Sequence, residues 1–140
     1  MPAEPPLPMG ATAEQPAAGI AILLWAADPD VPQRLATPFF HAAAAAAMDL
    51  PVELYFTAGS VRLLAPGVAA QLRPNPAHPK TVLDSMREAV DHGARLYACT
   101  DALRAHGLHA GGLIPECSGP GGAVAFMARA ADLRWRTLVF

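Results

Sequence analysis

The sequence predicts an α/β fold, a three-layer α/β/α arrangement around a mostly parallel sheet of about five strands. Several short apolar runs lack polar alternation, which is typical of strands that are buried on both faces of a parallel sheet. These runs alternate along the chain with helical segments, and such alternation predicts parallel strands joined by right-handed crossovers. The length of 140 residues suits one domain.

The first 18 residues differ in composition from the rest of the chain. They contain five prolines and are otherwise rich in alanine, a composition that cannot pack a core. We therefore expect residues 1–18 to be a disordered tail without an assigned function, and residues 19–140 to form the single domain.

The first half of this domain predicts two strands and an alanine-rich helix. An apolar run over 19–26 predicts a strand that ends at Asp28-Pro29-Asp30. A helix is expected over 31–48, although Pro38 within it would break or kink a helix. Alternatively, Thr37 is the N-cap and Pro38 the first helical residue. The run 51–57 predicts the second strand.

The middle of the chain predicts helices around a third strand. A short helix over 60–72, interrupted at Pro66-Gly67, precedes a proline-rich loop over 73–79. Apolar residues at helical spacing then predict a helix over 79–92 that Gly93 ends. A third strand is expected over 94–99, and Thr100 or Asp101 is expected to cap the short helix after it.

The last part predicts a short fourth strand, a helix and a final strand. The fourth extended piece is expected at 113–116, and the Gly-rich stretch 119–122 is expected to open a helix that runs to Ala131. The terminal run 135–140 predicts the fifth strand.

Ligands in open α/β sheets bind beyond the carboxyl ends of the strands. This rule selects four segments here, which are 25–30, 57–60, 99–101 and 116–121. Both cysteines, Cys99 and Cys117, fall within these segments. Their shared placement is more informative than either cysteine alone.

Cys99 is the principal candidate for a catalytic residue. It is predicted to end the third strand directly before a helix N-terminus, where partial positive charge favours the nucleophilic thiolate. Asp101 in the same turn opposes this effect by repulsion between like charges. Alternatively, Cys99 is a buried core residue that packs as a small hydrophobe.

Cys117 has a less specific position, before the Gly-rich stretch. It is a candidate to resolve an oxidised or persulfidated Cys99, or to form a disulfide with it, and the alternative is an incidental loop cysteine. A disulfide would require the two Cα atoms to lie within about 7 Å.

Composition and motifs argue against several classes of function. The net charge is −2 and the chain has no basic run, which argues against nucleic-acid binding. No window of 18 apolar residues predicts a membrane span, and the N-terminus lacks the basic region of a signal peptide. With two cysteines and no export signal, we expect a reducing cytoplasm. We expect no metal and no cofactor, because zinc-ligand spacing, a phosphate-loop lysine and a nucleophile elbow are all missing from the sequence.

The chain resembles the DsrE/DsrF/DsrH (YchN-like) family of small sulfur-relay proteins from about Gly19 to Phe140. Four pairs of sequence segments carry the resemblance. They are AILLWA at 21–26 with Met48-Asp49, VELYFT at 52–57 with VRLL at 61–64, LYACTDAL at 96–103 with HGL at 106–108, and GAVA at 122–125 with TLVF at 137–140. Only the cysteine after the third of these strands is chemically specific.

This resemblance implies a function for Cys99 as a sulfur carrier or sulfurtransferase. In the family, a cysteine at this place holds sulfur as a persulfide and exchanges it with a TusA-like carrier or a rhodanese. It also implies a DsrEFH-like α/β/α fold and a homo-oligomer or hetero-oligomer, commonly a trimer or hexamer. Cys117 and the proline-rich segments lie outside the resemblance.

Other residues have possible accessory roles in this chemistry. An apolar cleft around Cys99 that includes Trp25 would shield a persulfide. Arg104, or the amides of the helix that begins near Thr100 and Asp101, would steady its charge. A second hypothesis is a non-catalytic, oligomeric module that binds a small ligand and in which Cys99 is structural. A third is a thiol redox protein that uses both cysteines.

Oligomer formation is also expected from composition. Hydrophobic residues make up 53% of the chain and charged residues 16%, which predicts an apolar surface that subunits would cover. The alanine run 42–47 after His41 offers a smooth helix face for close packing.

Overall fold

The computed structural model describes residues 3–5 and 16–140. In these residues, five parallel strands form one sheet in the order β4-β3-β2-β1-β5. The strands are β1 (Gly19–Leu24), β2 (Val52–Phe56), β3 (Arg95–Ala98), β4 (Cys117–Pro120) and β5 (Trp135–Val139). The parallel α/β fold is therefore confirmed. The predicted tail, 1–18, lies for the most part outside the described residues.

Helices cover both faces of this sheet. The α-helices of the described ranges are α1 (Thr37–Ala47), α2 (Val82–Asp91), α3 (Thr100–Ala105) and α4 (Ala123–Ala130), and shorter 3-10 turns occupy Pro32–Arg34, Ala58–Leu64, Ala69–Gln71 and Ala110–Gly112. Helices α1 and α2 pack against each other over the main core. Helix α4 packs over the opposite face, where Phe126 contacts Tyr55.

The core forms because the central strands are apolar on both faces. Every residue of β2 is buried, and alternate β2 residues such as Leu54 and Phe56 point to the main core. Phe39 of α1 stacks on Phe56 with ring centroids 6.2 Å apart. Strand β5 lies at an edge of the sheet and is largely exposed.

Helix α1 begins at Thr37 and not at residue 31. Pro38 occupies its first turn, where the missing N–H removes no helical hydrogen bond. The N-cap is Ala36, so Thr37 is the first helical residue and Pro38 the second. The alternative with Thr37 as N-cap and Pro38 as the first helical residue therefore places the helix start one residue too late. The segment before it, Pro32–Arg34, forms a separate 3-10 turn.

Helix α2 begins at Val82, three residues later than predicted. Thr81 and Asp84 form a capping box, in which the Asp84 N–H donates to Thr81 Oγ1 (3.1 Å) and the Thr81 N–H donates to Asp84 Oδ2 (2.9 Å). The predicted stop is confirmed, because Gly93 follows the helix with φ of 110°.

The fourth strand lies at Cys117–Pro120, and the prediction of 113–116 is wrong. Its sequence, Cys-Ser-Gly-Pro, has no strand signature, but edge strands tolerate glycine and proline, and β4 lies at the other edge of the sheet. Pairing with β3 holds it in an extended conformation, with a register shift between Leu96 and Tyr97.

None of the helices in the described part of the chain is long and apolar enough to cross a bilayer.

Candidate functional site

Three strand ends meet at the carboxyl edge of the sheet. The N–H of Thr57, after β2, donates to the carbonyl of Leu24 at 3.0 Å, and the N–H of Cys99, after β3, donates to the carbonyl of Phe56 at 2.9 Å. These bonds place Cys99 beside the end of β2. Cys99 is itself the N-cap of α3, so the predicted capping by Thr100 or Asp101 is wrong.

The Gly-rich segment before α4 passes close to this edge. The N–H of Gly121 donates to the carbonyl of Ala98 at 2.9 Å. A Cβ at Gly121 would lie 2.7 Å from Cβ of Tyr97, which real structures do not tolerate, whereas a Cβ at Gly122 would lie 3.8 Å from Sγ of Cys99. Glycine at 121 therefore permits the close approach that brings the N-terminus of α4 to the thiol.

A cavity of about 290 Å³ opens beside Cys99. Two aromatic side chains from the α4 side of the sheet, Tyr55 and Phe126, line it together with Cys99, and Phe56 borders it from the end of β2. The remaining lining residues are small or uncharged, and they are Leu23, Thr57, Gly121, Gly122, Ala123 and Met127. Cys99 is partly buried. The arrangement offers a nucleophilic sulfur in an uncharged cleft.

The first turn of α4 contributes hydrogen-bond donors to this cleft. Its first intrahelical bond runs from the N–H of Phe126 to the carbonyl of Gly122 at 3.0 Å. The preceding N–H groups of the turn have no acceptor within the helix. They add partial positive charge on the side of the cavity nearest Cys99, which suits an anionic sulfur.

An ion pair fastens α4 to the sheet below the cavity. Nε of Arg129 donates to Oε1 of Glu53 at 2.6 Å, and its Nη2 donates to Oε2 at 3.2 Å. The Tyr55 hydroxyl donates to the same carboxylate at 3.0 Å. The guanidinium of Arg129 also lies 4.1 Å above the centre of the Trp135 ring. These contacts set where Phe126 and Met127 stand over the cavity.

Burial, with the hydrogen bond to Glu53, raises the pKa of Tyr55 to about 12. The unfolded chain releases this phenol proton near pH 10, so alkali favours unfolding. We expect the free energy of unfolding to fall by about 2 kcal/mol between pH 10 and 12 through this group. Urea unfolding across this pH range measures the loss of unfolding free energy. The Tyr55→Phe variant lacks the phenol proton and should lose correspondingly less stability. Equal losses at alkaline pH in both proteins would contradict the prediction.

The structure separates Cys117 from Cys99. Cys117 is the first residue of β4 and pairs with Leu96, three residues before Cys99. Three residues of strand span roughly 10 Å, beyond the limit of about 7 Å between the Cα atoms of a disulfide. Its predicted place at the carboxyl edge of the sheet is therefore wrong, as is its placement in a loop. The cause is the mislocated fourth strand.

Cys117 lies in a different chemical environment. It lines a second apolar cavity of about 270 Å³, together with Leu103 and Ile114. Burial raises the pKa of the Cys117 thiol, which reduces the fraction of reactive thiolate at neutral pH. Both cysteines are free thiols.

The remaining predicted residues do not line the cavity beside Cys99. Trp25 follows β1, which β2 separates from β3, and the residue is 58% exposed. The predicted apolar cleft beside Cys99 is present, but Trp25 does not line it. Thr100, Asp101 and Arg104 are exposed on α3, and Arg104 pairs with Asp101 at 3.7 Å.

The carboxylates after β1 have a structural role. Arg62 forms ion pairs with Asp28 and Asp30, and the N–H of Asp30 donates to Oδ1 of Asp28 at 2.8 Å. This agrees with the interpretation of the segment as a turn. Among the described residues, no group of three or more acidic, histidine or cysteine side chains is placed to hold a metal ion.

Sequence reasoning missed the walls of the cavity. Tyr55 had a detectable signal, because it alternates with Leu54 and Phe56 and so must face the other side of β2. The sequence gives no signal beyond helical spacing that Phe126 and Met127 line the cavity, since their position depends on how α4 crosses the sheet.

Comparison with known proteins supports the fold. A family model described as DsrE/DsrF-like matches residues 21–140. A search of curated proteins finds no significant match to the sequence.

Three solved structures share this fold. The YchN protein of E. coli is 14% identical, with a TM-score of 0.63 over 87% of this chain and 98% of its own. A protein of unknown function from Bacteroides thetaiotaomicron is 13% identical, with a TM-score of 0.60 over 93% and 98% of the two chains. Another, from Methanobacterium thermoautotrophicum, is 17% identical, with a TM-score of 0.58 over 86% and 97%.

Proposed function

The chain belongs to the DsrE/DsrF-like family, and from this premise we propose that it is a sulfur carrier that holds sulfur as a persulfide on Cys99. The single observation that supports this is the position of the Cys99 thiol in an uncharged cavity at the carboxyl edge of the sheet. That edge is where α/β proteins bind their ligands.

The chemistry requires only the thiol and its surroundings. The Cys99 thiolate attacks the outer sulfur of a donor persulfide, the donor S–S bond breaks, and the donor leaves as a thiolate. A partner thiolate later attacks the outer sulfur held by Cys99 and releases Cys99 as a thiolate. One sulfur atom moves in each step, and neither step needs an external oxidant or reductant.

The surroundings of Cys99 suit a stored persulfide. The apolar walls shield the stored sulfur from water, and the N–H groups at the start of α4 steady the anionic sulfur. We assign Thr100, Asp101 and Arg104, which are exposed near Cys99, to contact with a protein partner. That partner is a TusA-like carrier or a rhodanese in a reducing cytoplasm.

The proposed carrier is a homo-oligomer, with a trimer or hexamer favoured. The exposed apolar side chains support this, since Val124 is 88% exposed and Leu133 is 92% exposed. Such side chains are typical of surfaces that subunits cover. The alanine run contributes less than expected, because Ala42 and Ala46 are buried in the core of their own subunit.

Intact mass spectrometry after brief incubation with polysulfide tests the proposed function. The wild-type protein should gain one or more sulfur atoms that a reductant removes. Cys99→Ser should gain essentially none, because the proposed acceptor atom is absent. Cys117→Ser is the matched control, and it should gain sulfur as the wild type does.

Two results would contradict the proposed function. Sulfur uptake by Cys99→Ser would show that another group carries it, and no uptake by the wild type would favour a non-catalytic module that binds a small ligand. The cavity beside Cys99 would serve that alternative as well, with the thiol as part of its wall.

A further inference from the structure

We infer that one of the two exchange partners of Cys99 is a low-molecular-weight organic thiol without charge, whose apolar part fills the cavity beside the sulfur. This inference rests on the proposed function and deepens it. The other exchange partner is the protein thiol. The cavity thus determines which small thiol, or which persulfide of that thiol, can reach Cys99.

The lining of the cavity excludes charged thiols. None of the described residues that line it carries a charge. The carboxylate bonded to the lining residue Tyr55 is already engaged, because Glu53 accepts hydrogen bonds from both Arg129 and Tyr55. A carboxylate or ammonium brought into the cavity would lose water without gaining a partner, which is strongly unfavourable. Peptide-like thiols with several charges therefore fit poorly.

The size of the cavity restricts the thiol to a small one. Its volume of about 290 Å³ lies at the lower end of the range for ligand pockets, about 300–1,000 Å³. An apolar cavity of about 150 Å³ already accepts benzene. One ring or a short alkyl chain with its sulfur therefore fits. Tyr55 and Phe126 offer faces and edges for aromatic packing, and Met127 adds a polarizable sulfur.

Only the sulfur end of such a ligand would meet positive charge. The N-terminus of α4 lies beside Cys99, as the 3.8 Å from Sγ to a Cβ placed on Gly122 shows. The anionic sulfur would lie there and the apolar part would point along the aromatic wall. In the exchange, the thiolate of the small molecule attacks the outer sulfur of the Cys99 persulfide. The S–S bond breaks, Cys99 leaves as a thiolate, and the small molecule becomes the persulfide.

A matched pair of thiols tests this inference. Benzyl mercaptan and 4-(mercaptomethyl)benzoate have the same reacting arm and differ in one remote carboxylate. The protein is first loaded with sulfur from polysulfide, and the excess polysulfide is removed. Intact mass spectrometry then follows the transfer of the bound sulfur to each thiol. We expect the uncharged thiol to unload Cys99 at least about tenfold faster. A short persulfidated peptide, which has no cavity, is the control. The ratio of the two unloading rates measured on this peptide should be close to one.

Two lysine variants show whether the cavity is responsible. Met127 lines the cavity and is 57% exposed at its rim, so Met127→Lys brings a cation to the opening. This cation favours the carboxylate thiol and should reduce the ratio of the two unloading rates severalfold. Ala128→Lys adds the same charge at the next, exposed residue of α4, outside the lining. It should keep the wild-type ratio.

The possible outcomes separate the inference from the proposed function. Equal rates for the two thiols in a wild-type protein that has loaded sulfur would overturn the inference and leave the sulfur carrier intact. An equal effect of the two lysine variants would also overturn it, since a charge outside the cavity would then suffice. Failure of the wild type to load would remove the proposed function, and the inference with it.

Discussion

The Gly121→Ala variant is expected to lose about 2 kcal/mol of unfolding free energy and most of its ability to load sulfur. Its Cβ would lie 2.7 Å from Cβ and 3.1 Å from Cγ of Tyr97 and 3.2 Å from Cε1 of Tyr55. Cβ of Tyr97 is fixed by the backbone of β3 and cannot move aside. The Gly-rich segment must therefore shift, at the cost typical of overpacking, and it would carry the start of α4 away from Cys99.

The neighbouring glycine provides the matched control. Gly122 has extended backbone angles (φ −119°, ψ −150°) that alanine adopts readily, and its added Cβ would meet only Sγ of Cys99, at 3.8 Å. Gly122→Ala should lose less than about 1 kcal/mol, mainly as a weaker N-cap. Urea unfolding and polysulfide loading measure both variants. If the two variants behaved alike, the proposed close approach at Gly121 would be wrong.

The Arg129→Met variant is expected to lose about 2 kcal/mol of unfolding free energy and to loosen the wall of the cavity. Removal of the guanidinium leaves the carboxylate of Glu53, whose side chain is 11% exposed, with a single neutral donor, Tyr55. An unpaired buried carboxylate is destabilising, and the partial exposure of Arg129 moderates the cost. The stacking contact with Trp135 is also lost.

A second pair of variants identifies the cause of this loss. Arg129→Met combined with Glu53→Gln should recover part of the stability, because the buried negative charge is removed together with its partner. Arg134→Met changes an exposed arginine just before β5 and should alter stability by less than about 0.5 kcal/mol. Urea unfolding of all four proteins tests this expectation, and a double variant less stable than Arg129→Met would argue against the role of the ion pair.

Local sequence predicted the strands that are apolar throughout. The run at 19–26 marked β1 and the run at 51–57 marked β2, each correct to within two residues, because a continuous apolar run of strand length has few alternatives in an α/β chain. The first residues of α1 and α2 were less well predicted. At both positions proline marked the neighbourhood of the helix start and did not identify the first residue.

Strand β4 shows where local sequence fails. Cys117-Ser118-Gly119-Pro120 has no strand signature, and its extended conformation comes from pairing with β3. This error led to the placement of Cys117 at the carboxyl edge of the sheet. The rule that ligands bind at the carboxyl ends of strands was applied at Cys117 to a strand in the wrong position.

The sequence by itself determined the succession of strands and helices along the chain and the position of Cys99 directly after the third strand. These depend on local patterns of apolar residues and on the chemistry of one side chain. Only the tertiary structure decided that Cys117 lies apart, that Phe126 and Met127 line the cavity beside Cys99, and that none of the described lining residues is charged. Hydrogen bonds between strands and the ion pair of Arg129 with Glu53 decide these positions, and they join residues that are far apart in the chain.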